Sequence, residues 1–492
     1  MKSKKILSLI LSSVLLLSLF SIPASANSRV PVWSGRDANG VIVKDSDVPI
    51  VVEGERLTFD LSTLPYVRYN DVESFLAYDG KVTAEYTFYN PTDMEITATL
   101  MFPFGDRPEY SKGTSTEELG KYGAYINGEQ IEATLRHTYI DRREIYGTYN
   151  PIGVSFDADR HLATLGDSYL QDDFYTKDLI VTKYSYHIVC PTDSGNFAIN
   201  IDNVGSERKI VLCDGRVGGY ITKTGGFEVS SINDEGDEET IYFYVFGEPL
   251  SDLPEASWYD GHFSTNPANK IDGWFSYLGS ETMTLEDFVF DVLPTKEGVS
   301  EVDWYNACVV AMKDNEENIY SASAIRYLSI PLMRWFEYEI TLAPGERITN
   351  TVVAPMYPKV EAWDHPYEYH YTYLLSPASC WADFGTLDIV VNTPYKMSES
   401  SIGAFEKTEG GYKLVLEGLP QDESGYLDLS FTLMGDGSTP KYQPRPDSDS
   451  TVEYATNVFD VIGAFFASVF NAIGDFFIRI FGTIADFTKS LF

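Results

Sequence analysis

Six histidines and 73 acidic residues offer this chain its chemistry, yet they converge only once in sequence, at Asp364-His365-Pro366-Tyr367-Glu368-Tyr369-His370. On a strand, side chains two apart share a face, so Asp364, Glu368 and His370 point one way and His365 the other. The three have the chemistry of metal ligands. The stretch is not the helical His-Glu-x-x-His of zinc proteases, however, and Pro366 opposes a helix. The alternation of Tyr367, Tyr369, Tyr371 and Tyr373 reads more simply as an aromatic stripe on a sheet. No Gly-x-Ser-x-Gly elbow, phosphate loop, Gly-x-Gly-x-x-Gly turn or Ser-x-x-Lys pair stands in a suitable context, so no catalytic residue is assigned. Two carboxylates suffice for a glycosidase, but among 73 acids such pairs arise by chance and carry no weight.

No cofactor is expected. Asn233-Asp-Glu-Gly-Asp-Glu-Glu239 resembles a calcium loop in composition only. It lacks the alternating ligands and distal glutamate of an EF-hand and reads as a solvated hairpin turn, leaving room for a structural Ca2+ without specifying one. Cys190 and Cys213 each end a β-like run. They are either a disulfide, worth about 3 kcal/mol in the chain-entropy model, or two buried thiols. Cys308 and Cys380 have no clear partner, and no Cys-x-x-Cys suggests zinc or redox chemistry.

Composition narrows the field further. Lys2, Lys4 and Lys5 precede an apolar run to Ile22, then Pro23 and Ala24-Ser25-Ala26, the pattern of a cleaved export signal over residues 1–26. The chain is therefore expected outside the cytoplasm, as a secreted or cell-surface protein. A net charge of −37, with no basic cluster beyond the leader, argues strongly against nucleic acid as a partner and excludes a polybasic membrane switch.

The elements that must position any site are mostly strands. Val82, Ala84, Tyr86 and Phe88 alternate with Lys81, Thr83, Glu85 and Thr87, Asn90-Pro91-Thr92-Asp93 turns, and Glu95 to Phe102 alternates again. The reading is a hairpin with one wet face, as in antiparallel β-sandwiches. A second hairpin is expected from Glu228–Ser231 and Thr240–Phe246. Thr284-x-x-Asp287 and Ser300-x-x-Asp303 open two helices, the second with Val302, Tyr305, Val309 and Met312 on one side. The expected fold class is mainly β, with antiparallel sandwich-type lobes at 27–250 and 329–434. A small helical insert falls at 251–328, a Gly/Pro/Ser/Asp linker at 435–456 and an amphipathic helix at 457–492.

That last segment repeats in elevens, FDVIGAFFASV, FNAIGDFFIRI and FGTIADFTKSL. Three helical turns per repeat keep Phe459, Ile462, Phe465, Phe470, Ile473, Phe476, Phe481, Ile484 and Phe487 on one face, opposite Asp460, Asn471, Asp475 and Asp486. Such a face contacts a membrane, self-associates, or docks on the chain's own lobes. Membrane contact is the leading expectation, because a long linker precedes it.

Three stretches, VTAEYTFYNPTDMEITATLMFPFG (82–105), FEYEITLAPGERITNTVVAPMYP (336–358) and YTYLLSPASCWADFGTLDIVVNTPY (371–395), carry a resemblance. Together they resemble an uncharacterised family of secreted or cell-surface β-sandwich proteins, best represented among Gram-positive clostridial bacteria. The resemblance implies an extracytoplasmic β fold and transfers no catalytic residue. The leading functional expectation is a non-enzymatic surface protein that binds a host protein, a glycan or an envelope component. An extracellular glycan or peptide hydrolase using carboxylates, and a membrane-active or self-assembling protein acting through the repeat, are the alternatives.

Overall fold

Alternating side chains make strands throughout the chain, and a computed structural model shows how they pair. It describes residues 42–43, 48–65, 78–106, 122–140 and 158–435, the last interrupted at 203, 206, 213–216, 222–225, 263, 295–297, 317–323, 327–329, 362–365, 376–377, 379–380 and 423–424. The leader, the linker beyond Gly435, the 457–492 repeat, Asp364, Cys213 and Cys380 lie outside the described residues.

Ahead of residue 158 lie β1 (Val51–Asp60), β2 (Lys81–Tyr89), β3 (Ile96–Asp106) and β4 (Thr134–Tyr139). Next come α1 (Ala158–Leu162), β5 (Ile180–Val189), β6 (Gly195–Ile201), β7 (Arg208–Leu212), β8 (Phe227–Asn233) and β9 (Glu238–Gly247). They are followed by β10 (Glu255–Asp260), β11 (Trp274–Thr284) and α2 (Glu301–Glu316). The chain then returns through β12 (Leu332–Leu342), β13 (Arg347–Pro355), β14 (Glu368–Tyr373), β15 (Phe384–Asn392) and β16 (Leu429–Met434). The mainly β architecture expected from the sequence is present, antiparallel except for the parallel pairing of β1 with β15 and of β7 with Ala324–Arg326 among the described residues.

The lobes are not consecutive as expected; one is nested inside the other. β1 pairs with β15, β2 with β13, and β3 with β12, so residues 48–140 and 330–434 share one sandwich. A single face of an eight-stranded sheet, centred on β15-β1-β2-β13, packs against two four-stranded sheets containing β3-β12-β4 and β14-β16. Residues 180–260 and 270–284 form the inserted sandwich, β11-β5-β9-β7 over β8-β6-β10.

Neither expected hairpin forms. β2 and β3 lie in different sheets, as do β8 and β9. Each pair is amphipathic with its apolar side inward, so the two strands face each other across the core instead of pairing edge to edge. The 234–237 acidic stretch is an exposed turn between those sheets, closed by Asp237 N–H to Asp234 O at 3.0 Å. The helical insert is also shorter than expected, since 255–260 and 274–284 are strands. Its caps are where the sequence put them: Thr284 and Asp287 form a capping box, and Ser300 Oγ accepts from Asp303 N–H. α2 buries Trp304, Cys308 and Ala311 as well as the Tyr305, Val309 and Met312 side, because it is packed between the inserted sheet (Val181, Tyr244, Phe246) and the outer lobe (Tyr139, Leu332).

Two polar devices hold these layers. Asp303, fully buried at the start of α2, accepts from Arg136 Nε and Nη2 at 3.1 and 2.9 Å and from His137 N–H at 2.9 Å. Arg136 also donates to Glu337 on β12 and to Gly166 O, so one guanidinium ties the helix to the outer sheet. The second device is Asn90, at the end of β2. Its Nδ2 donates to Met94 O, Leu342 O and Ala343 O at 2.7–3.1 Å, while its Oδ1 accepts from Thr92 N–H. Its backbone pairs with Glu346 O and Gly345 N–H. The β2–β3 and β12–β13 arches are thereby welded together. Replacing Asn90 with alanine strands the buried Leu342 carbonyl and removes the ties to the Met94 and Ala343 carbonyls and to Thr92 N–H. It is expected to cost about 3 kcal/mol, read as a lower urea midpoint at unchanged slope.

Candidate functional site: an open aromatic sheet face

On β5 the side chains divide cleanly. Tyr184, Tyr186 and Ile188 enter the sandwich core, and Lys183, Ser185 and His187 point out. At one end the outer face is roofed: Val181, Tyr244 and Phe246 pack under α2 and the 285–293 turn. Beyond that roof it opens. Cross-strand register sets Trp274, Val189 and Glu238 in one row, Ser276, His187 and Thr240 in the next, and Gly279, Ser185 and Tyr242 in a third. β11 is the sheet edge, and a bulge at Tyr277/Gly279 bends it there.

Trp274 is 55% exposed, although it is not loose. The His187 ring meets it edge to face, with centroids 5.3 Å apart and planes at 80°. His187 is in turn held by Glu238, 3.0 Å from its Nε2. Trp274 O accepts from Trp258 Nε1 in the core at 3.1 Å, and Phe275 beside it packs inward on Phe197 at 5.1 Å. Further along, the Lys183 ammonium sits 4.7 Å over the Tyr242 ring. The result is an open surface of rings, hydroxyls and both signs of charge. A depression of about 520 Å³ on the outer lobe, between Ile126–Ile131 and Glu339–Thr341, has only exposed carboxylates, Glu129 and Glu339.

The residues singled out in sequence lie elsewhere. Glu368 and His370 do share the outer face of β14, with 3.7 Å between His370 Nε2 and Glu368 Oε2. His370 Nδ1 is 2.9 Å from Thr432 Oγ1. Tyr367, Tyr369, Tyr371 and Tyr373 are all buried, the stripe expected of them. Among the described residues no three His, Cys, Asp or Glu side chains are placed to hold a metal ion. Cys190 is a buried free thiol whose Sγ lies 3.2 Å from Thr192 O; its weighed partner Cys213 is outside the described residues.

Sequence reasoning missed Trp274, which it placed in a helical insert, and Glu55. A bulge between Val52 and Gly54 shifts the β1 register and turns Glu55 into the outer core at 2% exposure. Tyr373 donates to Glu55 at 3.2 Å and is itself 3.1 Å from the Tyr86 hydroxyl; nearby, Tyr338 donates to Asn350. Burial pushes the Glu55 carboxyl up to about 7, with the Tyr86 and Tyr373 hydrogen bonds offsetting part of the rise. Shut in by these rings, it belongs to the fold and not to a surface site.

No family model matches the chain, and no curated protein matches it. Among solved structures it is similar to a candidate nutrient-binding protein of Legionella pneumophila, at 10% identity over 81% of this chain and 71% of that one. The TM-score is 0.31, a level at which neither fold nor function transfers.

Glu55 gives a signed pH dependence. Its raised pKa means the neutral acid is favoured by the fold, so its contribution is complete below about pH 4.5 and is lost as pH rises through about 7. Between pH 5.5 and 8.5 the wild type is expected to lose about 2 kcal/mol more than Glu55→Gln in paired denaturation curves.

Proposed function

We propose that this chain is an exported bacterial surface protein with a non-enzymatic binding role, and that it meets its ligand on the open face of β11, β5 and β9. The observation that carries the reading is Trp274. Trp274 and Leu278 on the same edge strand are both more than half exposed, and the His187 ring, hydrogen-bonded to Glu238, packs edge to face on Trp274 and so favours one orientation of that ring. The reading also rests on the leader at residues 1–26, which addresses the chain for export, and on the high acidity, which keeps the lobes soluble and apart from anionic surfaces.

Retention falls to the 457–492 repeat, whose Phe/Ile face is the strongest periodic apolar pattern in the sequence. Deleting 457–492 is expected to move intact protein from the cell-associated fraction into the medium, measured by immunoblot of both fractions. Unchanged cell association of the deleted form contradicts retention by this segment.

A further inference from the structure

We infer that the open face of the inserted sandwich is a docking surface for a neutral polysaccharide chain, an assignment that rests on the binding role proposed above. Three features of the face select that occupant. The first is shape. Three strands at about 4.8 Å spacing and rows about 7 Å apart give a flat strip about 10 Å wide running from Trp274 past Tyr242. A strip of that kind suits an extended chain of rings and leaves no pocket to enclose a small solute. The second is chemistry. A saccharide presents a C–H face that stacks on an aromatic ring and a rim of hydroxyls that need donors and acceptors. Trp274 offers the ring, while Ser276, His187, Thr240, Ser185 and Glu238 line the same face within two rows.

The third feature is charge. The strip carries Glu238 and Glu281 against the single cation Lys183, on a chain of net charge −37. Uronates, sulfated chains and phosphate-bearing polymers are repelled by that field, whereas an uncharged glycan is not. A protein partner would call for a larger apolar anchor cluster. On this face the apolar groups are few: Trp274 lies beside Val189 and next to the row of Ser276, His187 and Thr240, Leu278 is exposed at the bulge, and the part-exposed Phe275 contacts Phe197. The bracing also fits: a stacking ring packed edge to face on His187, on a strand whose Trp274 carbonyl accepts from Trp258 Nε1, loses less freedom when a sugar covers it than an unsupported ring would.

The test is titration calorimetry of the full chain with cellohexaose, laminarihexaose, chitohexaose and mannohexaose, with polygalacturonate as the anionic arm. At least one neutral hexaose is expected to bind. Trp274→Ala is expected to weaken that binding about tenfold or more with only a small change in the thermal midpoint, since more than half of the residue is exposed. Ser276→Arg, which removes no core contact and plants a bulky charge mid-strip, is expected to block binding as well. The glycan assignment is overturned if no neutral hexaose binds, if only polygalacturonate binds, or if Trp274→Ala binds as the wild type does. Should the panel fail while Ser276→Arg abolishes adherence of the protein to isolated cell envelopes, the binding face stands and only its ligand class falls.

Discussion

The pairing of β3 with β12 is the constraint on which the rest of this molecule hangs. Thr97 and Thr341, 244 residues apart in the chain, face each other across that ladder with their hydroxyls 3.0 Å apart. Closing so long a loop costs conformational entropy once, and the cost grows only slowly with length. Once closed, the ladder delivers β13 to β2 and β15 to β1, and the eight-stranded sheet and its core follow. Everything between β4 and β12 becomes an insert with both ends anchored in the same sheet. Contacts this non-local imply slow folding compared with a helical protein of similar size.

Anchoring is made specific by polar groups placed where apolar packing alone would allow sliding. Asn90 binds two arches at one end of the outer sandwich, its side chain meeting the buried Leu342 carbonyl and the part-buried Met94 and Ala343 carbonyls. Arg136 binds α2 through Asp303, a buried charge pair with its remaining valences spent on His137 N–H, Glu337 and Gly166 O. Such pairs add little net stability over apolar replacements, but they fix which surfaces meet. Here they fix α2 against the inserted sheet, and α2 in turn decides where that sheet is roofed and where it lies open. The binding face thus follows from helix placement: Tyr244 is covered, and Tyr242, one strand position-pair further along, is only half covered.

Much of the fold was legible in the sequence, for physical reasons that also mark the limits. Alternation along Lys81–Tyr89 and the tyrosine stripe of Glu368–Tyr373 reported correctly which side chains go inward, because the strand period is fixed by backbone geometry. The capping signals at Thr284 and Ser300 located two helix starts, since a cap is a local hydrogen bond. Alternation is silent about partners. It cannot separate a hairpin from two strands facing across a core, so both expected hairpins turned out to be arches and two consecutive lobes turned out to be nested. Glu55 was invisible because a bulge reverses its side. Trp274 was hidden by its context: strands at 255–260 and 274–284 sit beside a genuine helical stretch, and the aromatic run Trp-Phe-Ser-Tyr-Leu was read with its helical neighbours.

The nested pairing is tested most directly by trapping it. Thr97 and Thr341 are exposed cross-strand neighbours, so cysteines introduced at both positions by Thr97→Cys and Thr341→Cys fall within disulfide reach only if β3 lies against β12 in this register. Under mild oxidation of the folded protein, peptide mapping by mass spectrometry should find the two tryptic segments joined, with a raised thermal midpoint. Two cysteines that stay reduced, or that link only between molecules, would contradict the nested fold and with it the placement of the open face.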